Sequence, residues 1–130
     1  MIPLPHTSSD KDLVEVVHQW VRLLEAEKYD EAFALTEHEE NSGWNPSYIK
    51  QFIEGYGDAE PGQRVTFEGK PTDISQRIEV TRWAKNAYGA IGEVWYDLNI
   101  NGFVSDITAT FSVYSVQTGL VLKLNDIHVM

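Results

Sequence analysis

The sequence predicts an α+β fold in which helices of the N-terminal half cover one face of an antiparallel sheet built by the C-terminal half. Three observations carry that expectation. Apolar residues recur at helical spacing up to about residue 56, and they alternate with period two over most of the later chain. Asn101-Gly102 also lies between two long alternating runs, and Asn-Gly suits a type I′ hairpin turn because both central residues need φ > 0.

The elements follow in order. Residues up to Thr7 read as an extended lead-in with two prolines. Ser9 or Asp10 can cap a first helix, with Asp12 placing negative charge in its first turn. Its apolar stripe is Leu13, Val16, Val17, Trp20, Val21 and Leu24. A short second helix carries Ala32, Phe33 and Leu35. His38 to Trp44 is polar and acidic, hence a loop. Asn45-Pro46 opens a third helix as N-cap and first helical residue, with Ile49, Phe52, Ile53 and Tyr56 on one side and Gly57 as its stop. Asp58 to Gly62 is a turn-rich linker. Arg64 to Phe67 and Ile74 to Trp83 read as strands, and Tyr88 to Met130 as a long hairpin followed by a last strand. The result is four or five antiparallel strands.

A two-residue turn also sets the hairpin register. Ile100 should face Phe103, Leu98 Ser105, Tyr96 Ile107, Val94 Ala109, Gly92 Phe111 and Ala90 Val113, almost all apolar and therefore turned toward the helices. A three-residue turn at Lys85-Asn86-Ala87 would set Ile78 against Val94 and Val80 against Gly92. Leu120, Leu122 and Leu124 share one phase while Ile127 and Val129 share the other, so the last strand should contain a bulge.

Composition narrows the function. A chain of 130 residues fits one domain and buries roughly two-thirds of its unfolded surface. Met1 to Pro5 lacks a basic n-region and an apolar h-region, no run approaches the ~18 apolar residues of a membrane span, and there is no cysteine. A cytoplasmic, non-membrane protein without a cofactor or metal is expected. The net charge of −10 is uneven, with 13 Asp/Glu against 4 Lys/Arg in residues 1–60 and 7 against 6 in the remainder. That balance argues against nucleic acid and permits a basic protein partner. Glu37, Glu39, Glu40 and Trp44 are its candidate contacts, since tryptophan is enriched in interface hot spots.

The outward strand phase gathers the ionisable groups. Asp97 should fall opposite Asp106, and the return of the last strand should bring Asp126 and His128 beside Asp106 and Thr108. Such a set reads as a metal or hydrolytic site, a structural hydrogen-bond network, or a partner patch. Ile91, Trp95, Val104, Tyr114 and Val116 share that phase, with Trp95 near Arg77 for a cation–π contact. So much apolar surface predicts burial against a second copy, a homodimer through the sheet face.

The order of a long capped helix, a short helix after Lys28-Tyr29-Asp30, a third helix and a curved sheet resembles the nuclear transport factor 2-like (cystatin-like) cone. Gly102-Phe103-Val104-Ser105-Asp106-Ile107-Thr108 and Leu124-Asn125-Asp126-Ile127-His128-Val129-Met130 are similar to a small uncharacterised bacterial family with that fold. The resemblance implies a menu of small-molecule enzymes, association modules and immunity proteins. A steroid-isomerase-like member needs an inward carboxylate base and an oxyanion donor. The only polar inward groups of the hairpin are Tyr96 and Ser105, and neither is a base. Trp20, Phe33, Phe52, Tyr56 and Phe111 are placed either to line a pocket with them or to fill it. The expectation is therefore a non-enzymatic binding protein, of immunity or regulatory type, using its acidic helical half. A ligand-binding or catalytic cone with a pocket between helices and sheet is the alternative.

Overall fold

Ser9 opens the first helix as its residue type demands. In this computed structural model, which describes residues 1–39, 41–56 and 62–129, α1 (Asp10–Glu25) begins with a reciprocal capping box. Asp12 N–H donates to Ser9 Oγ at 3.2 Å, and Ser9 N–H donates to the Asp12 carboxylate at 2.9 Å. Hydrogen bonds from Ser9, with the positive charge of Lys11 adding to them, hold the Asp12 carboxyl below its usual range. The six stripe residues of α1 are all buried. Glu27, at φ 59°, turns the chain into α2 (Tyr29–Leu35). Asn45 Oδ1 accepts from Tyr48 N–H at 2.8 Å and Pro46 takes the first helical position of α3 (Pro46–Glu54). Gly55 caps that helix, and the expected stop at Gly57 lies outside the described residues, as does the linker apart from Gly62.

The strands are β1 (Glu37–His38), β2 (Val65–Thr66), β3 (Ile78–Arg82), β4 (Ala90–Ile100), β5 (Phe103–Val116) and β6 (Gly119–Val129). They form a curled six-stranded half-barrel in the order β1-β6-β5-β4-β2, with β3 also paired to β4. Two expectations change here. Glu37 and His38, the latter read as the start of a loop, form a parallel edge strand on Lys123 and Leu124 of β6. Residues 74–77 are not strand, and the turn after β3 is longer than three residues, so Ile78 faces Tyr96 and Val80 faces Val94.

The β4–β5 hairpin turns at Asn101 (φ 52°) and Gly102 (φ 83°) and pairs Ile100 with Phe103, as the Asn-Gly signal requires. Its register then departs from the simple reading. Between the pairs Asn99–Val104 and Asp97–Thr108, only Leu98 stands against Ser105, Asp106 and Ile107. Two extra residues on β5 shift every later partner: Tyr96 faces Ala109, Val94 faces Phe111 and Gly92 faces Val113. An even slip preserves alternation, so the inner face remains the predicted one beyond it. A single-residue irregularity at Ile91 acts differently. It moves Ala90 out of phase, opposite Tyr114, and brings Ile91 against the core. On β6 the expected bulge exists: Thr110 pairs with Asp126 and Phe111 with Leu124, leaving Asn125 as the extra residue.

Helices and sheet share one core. Trp20, Tyr96 and Phe111 are at most 2% exposed, and the rings of Trp20 and Phe111 meet edge to face with centroids 5.1 Å apart. Leu98, Ile107, Leu122 and Leu124 are buried with them. Phe103, expected to face inward, is exposed at the hairpin tip, beyond the last described β5–β6 pair, Ile107 with Val129.

Residues 67–77 form a strap over the tip of the hairpin. The strap leaves the β4 edge at β2, and Asn99 Nδ2 donates to the Phe67 carbonyl at 2.9 Å. It pairs Lys70 with Phe103 on β5 through Lys70 N–H to Gly102 O and Val104 N–H to Lys70 O. It then returns to Asp97, whose N–H donates to Arg77 O at 2.9 Å. A β-carbon at Gly69 would overlap the Asn99 side chain, so glycine permits the crossing.

Candidate functional site

The polar outer-face cluster divides in two. Asp97 faces Thr108 rather than Asp106, because the β5 bulge shifts the register by two. Thr108, fully buried, donates its hydroxyl to Asp97 Oδ1 at 2.8 Å. Arg77 N–H donates to Asp97 Oδ2 at 2.9 Å, and the Arg77 guanidinium lies 3.7 Å from Oδ1. Gln76 Nε2 donates to the Asp97 carbonyl at 2.8 Å. The carboxylate is thereby used to hold the end of the strap against the sheet. Thr108 also pairs across the ladder with His128, whose Nδ1 lies 3.2 Å from the Asp126 carboxylate. Arg77 covers the Trp95 ring at 4.9 Å, as expected, and His128 meets that ring edge-on with centroids 6.1 Å apart. Trp95 itself stands opposite Thr110. Among the described residues, no group of three or more His, Asp or Glu could hold a metal ion.

Asp106 belongs elsewhere. Expected beside Asp97, Thr108, Asp126 and His128 on the outer face, it turns instead toward α3, where the Tyr56 hydroxyl donates to its Oδ1. The cause is the bulge. Ser105 Oγ donates to Leu98 O at 2.6 Å and accepts from Ile107 N–H at 3.2 Å, which pins the extra residues and aims Asp106 sideways. A groove of about 550 Å³ opens there, lined by Gln51, Phe52, Gly55, Tyr56, Asp106 and Val129. Burial, reinforced by the hydrogen bond to Asp106, pushes the Tyr56 phenol above its usual range, so the phenol stays protonated as a donor.

The remaining candidates fall as follows. Trp20, Tyr96 and Phe111 fill the core between helices and sheet, Ser105 locks the bulge, and Phe33 stacks on His38 at 3.8 Å. Of the pocket candidates, Phe52 and Tyr56 line the groove. His18 is wedged edge-on against Phe67 and Tyr96 at 5.1 and 5.6 Å. Trp44 is half-buried, stacked on Tyr48 at 4.7 Å and 5.8 Å from Phe52, so it rests on the helix that follows it. Glu39 is paired with Lys123 at 2.6 Å, Glu37 is exposed, and Glu40 lies outside the described residues. In the proposed dimer face, Val104 is buried beneath the strap side of the sheet and Ile91 packs on the core. Trp95 and Tyr114 are partly exposed and Val116 is exposed.

What sequence reading missed is the meeting of Tyr56 with Asp106 across 50 positions. Each residue was singled out, but in different groups. The one available signal was Ser105-Asp106, two polar residues in succession within an otherwise alternating strand.

No helix among the described residues is long and apolar enough to cross a membrane. No curated protein and no solved structure gives a significant match to the chain. Residues 21–130 match the model of a domain of unknown function, DUF7668, and the chain belongs to that family.

Proposed function

We propose that this protein is a non-enzymatic, cytoplasmic binding protein built on a nuclear transport factor 2-like cone. It engages a basic protein partner through its acidic helical half, as an immunity-type or regulatory factor does. The observation that carries this reading is the segregation of charge from a filled interior. Residues 1–60 hold 13 of the 20 acidic residues, while Trp20, Tyr96 and Phe111 fill the interior between helices and sheet. Complementary charge of this kind steers association and sets specificity more than it adds affinity.

The test is affinity capture from lysate with the wild-type chain and with Glu37, Glu39 and Glu40 all reversed to lysine. The expected result is a basic protein, identified by mass spectrometry, that the wild type retains at low salt and the triple variant releases. Retention of every captured protein by the triple variant refutes the reading.

Pairing of two copies across the outer sheet face is a second reading, supported by Val116, which is exposed, and by Tyr114 and the part of Trp95 that Arg77 leaves uncovered. Trp95→Glu should abolish self-association in sedimentation equilibrium, and a wild type that sediments as a monomer at high concentration ends this reading.

A further inference from the structure

The β5 bulge places one carboxylate beside a row of aromatic rings. Tyr48, Phe52 and Tyr56 follow one another at intervals of four along α3 and its C-terminal cap, the spacing that sets side chains on one face. Trp44 stacks on the first of them and approaches the second. Tyr48 is 45% exposed and Val129 53% exposed, whereas Ile49 and Ile53 of the same helix are fully buried in the core. Asp106 closes the far end. Tyr56 occupies its Oδ1, and Oδ2 has no partner among the described residues.

We propose that this groove is the anchor site for an arginine side chain of the basic partner, an inference that rests on the function proposed above. The chemistry is specific. A guanidinium is planar and weakly hydrated, stacks on aromatic faces and donates a fork of N–H groups to a carboxylate, whereas a lysine ammonium is a compact and strongly hydrated charge. Phe52 and Tyr56 supply the faces and Asp106 the acceptor. The Tyr56 hydroxyl orients that acceptor and leaves its second oxygen for the incoming N–H groups.

The test is an amide-resolved NMR titration of the full chain with N-acetyl-arginine amide and, separately, N-acetyl-lysine amide. The arginine probe should give saturable shifts confined to Gln51, Phe52, Gly55, Tyr56, Asp106 and Val129, with Kd on the order of 1 mM. The lysine probe should bind at least about fivefold more weakly. Asp106→Asn should weaken the arginine probe about tenfold. If Asp106→Asn does not fold, Phe52→Leu keeps an apolar side chain there and should weaken the probe about threefold by removing one ring. Four results overturn the proposal: no saturation, shifts spread over all the acidic helices, equal binding of the lysine probe, or equal binding by every variant. Failure here is separable from failure of the functional reading. A chain that captures a basic partner but shows no arginine shifts lacks only this anchor. A chain that shows them but captures no partner lacks the larger role.

Discussion

Removing the Asp97 carboxylate should unfasten the strap from the sheet. Asp97→Ala deletes the acceptor of the buried Thr108 hydroxyl and of Arg77 N–H, and it removes the anion facing the Arg77 guanidinium. Hydrogen bonds to a charged group contribute about 1.5–3 kcal/mol each, and they share one acceptor group, so their losses do not simply add. The expected cost is about 3–4 kcal/mol, because Thr108 is fully buried and water cannot replace the lost partner. Asp97→Asn keeps one carbonyl acceptor and should cost about half as much, near 2 kcal/mol. Thr108→Val removes the donor without changing shape and should cost about 1–2 kcal/mol, with a coupling to Asp97 of about 1 kcal/mol in the double-mutant cycle. Urea unfolding reads all of this. With m near 1–3 kcal/mol/M, the Asp97→Ala midpoint should fall by about 1–4 M at unchanged m. A loss below about 1 kcal/mol would show that the carboxylate is hydrated and that the strap is held by other means. Stability unchanged together with loss of a bound partner would make Asp97 a binding residue, and the structural-network reading would be wrong.

Two further outcomes follow from close packing and from titration. A β-carbon at Gly92 would overlap the Thr81 carbonyl oxygen on β3, so Gly92→Ala should cost about 1–3 kcal/mol and speed amide exchange from Ile78 to Arg82; unchanged exchange would refute that close approach. Burial raises the phenols of Tyr29, Tyr56 and Tyr96 above their ordinary value of 10.0. A raised folded-state pKa gives stability that is whole below the unfolded value and is lost as pH climbs through the folded one. The stability these phenols contribute should therefore be lost only above about pH 10, with part of the tyrosinate absorbance appearing together with unfolding; complete tyrosine titration in the folded state would contradict this.

Much of the architecture was legible because it depends on local rules. Ser9, Asn45-Pro46 and Asn101-Gly102 announce two helix starts and a hairpin through hydrogen bonds made within a few residues. The α1 stripe is buried as its spacing demands. The bulge at Asn125 could be read because one extra residue reverses the apolar phase between Leu124 and Ile127. The slip at Ser105–Ile107 could not, since two extra residues restore the phase they disturb. No pattern of apolar residues beyond it betrays the change, and Asp106 was accordingly assigned to the wrong neighbours.

The sequence by itself determined the class of fold, the helix faces, the turn of the long hairpin and the acidity of the helical half, all set by spacing, capping and charge. Only the tertiary structure decided that Asp97 fastens a strap while Asp106 meets Tyr56. Those partners lie far apart along the chain, and a carboxylate's role depends on which distant donors the folded backbone brings to it.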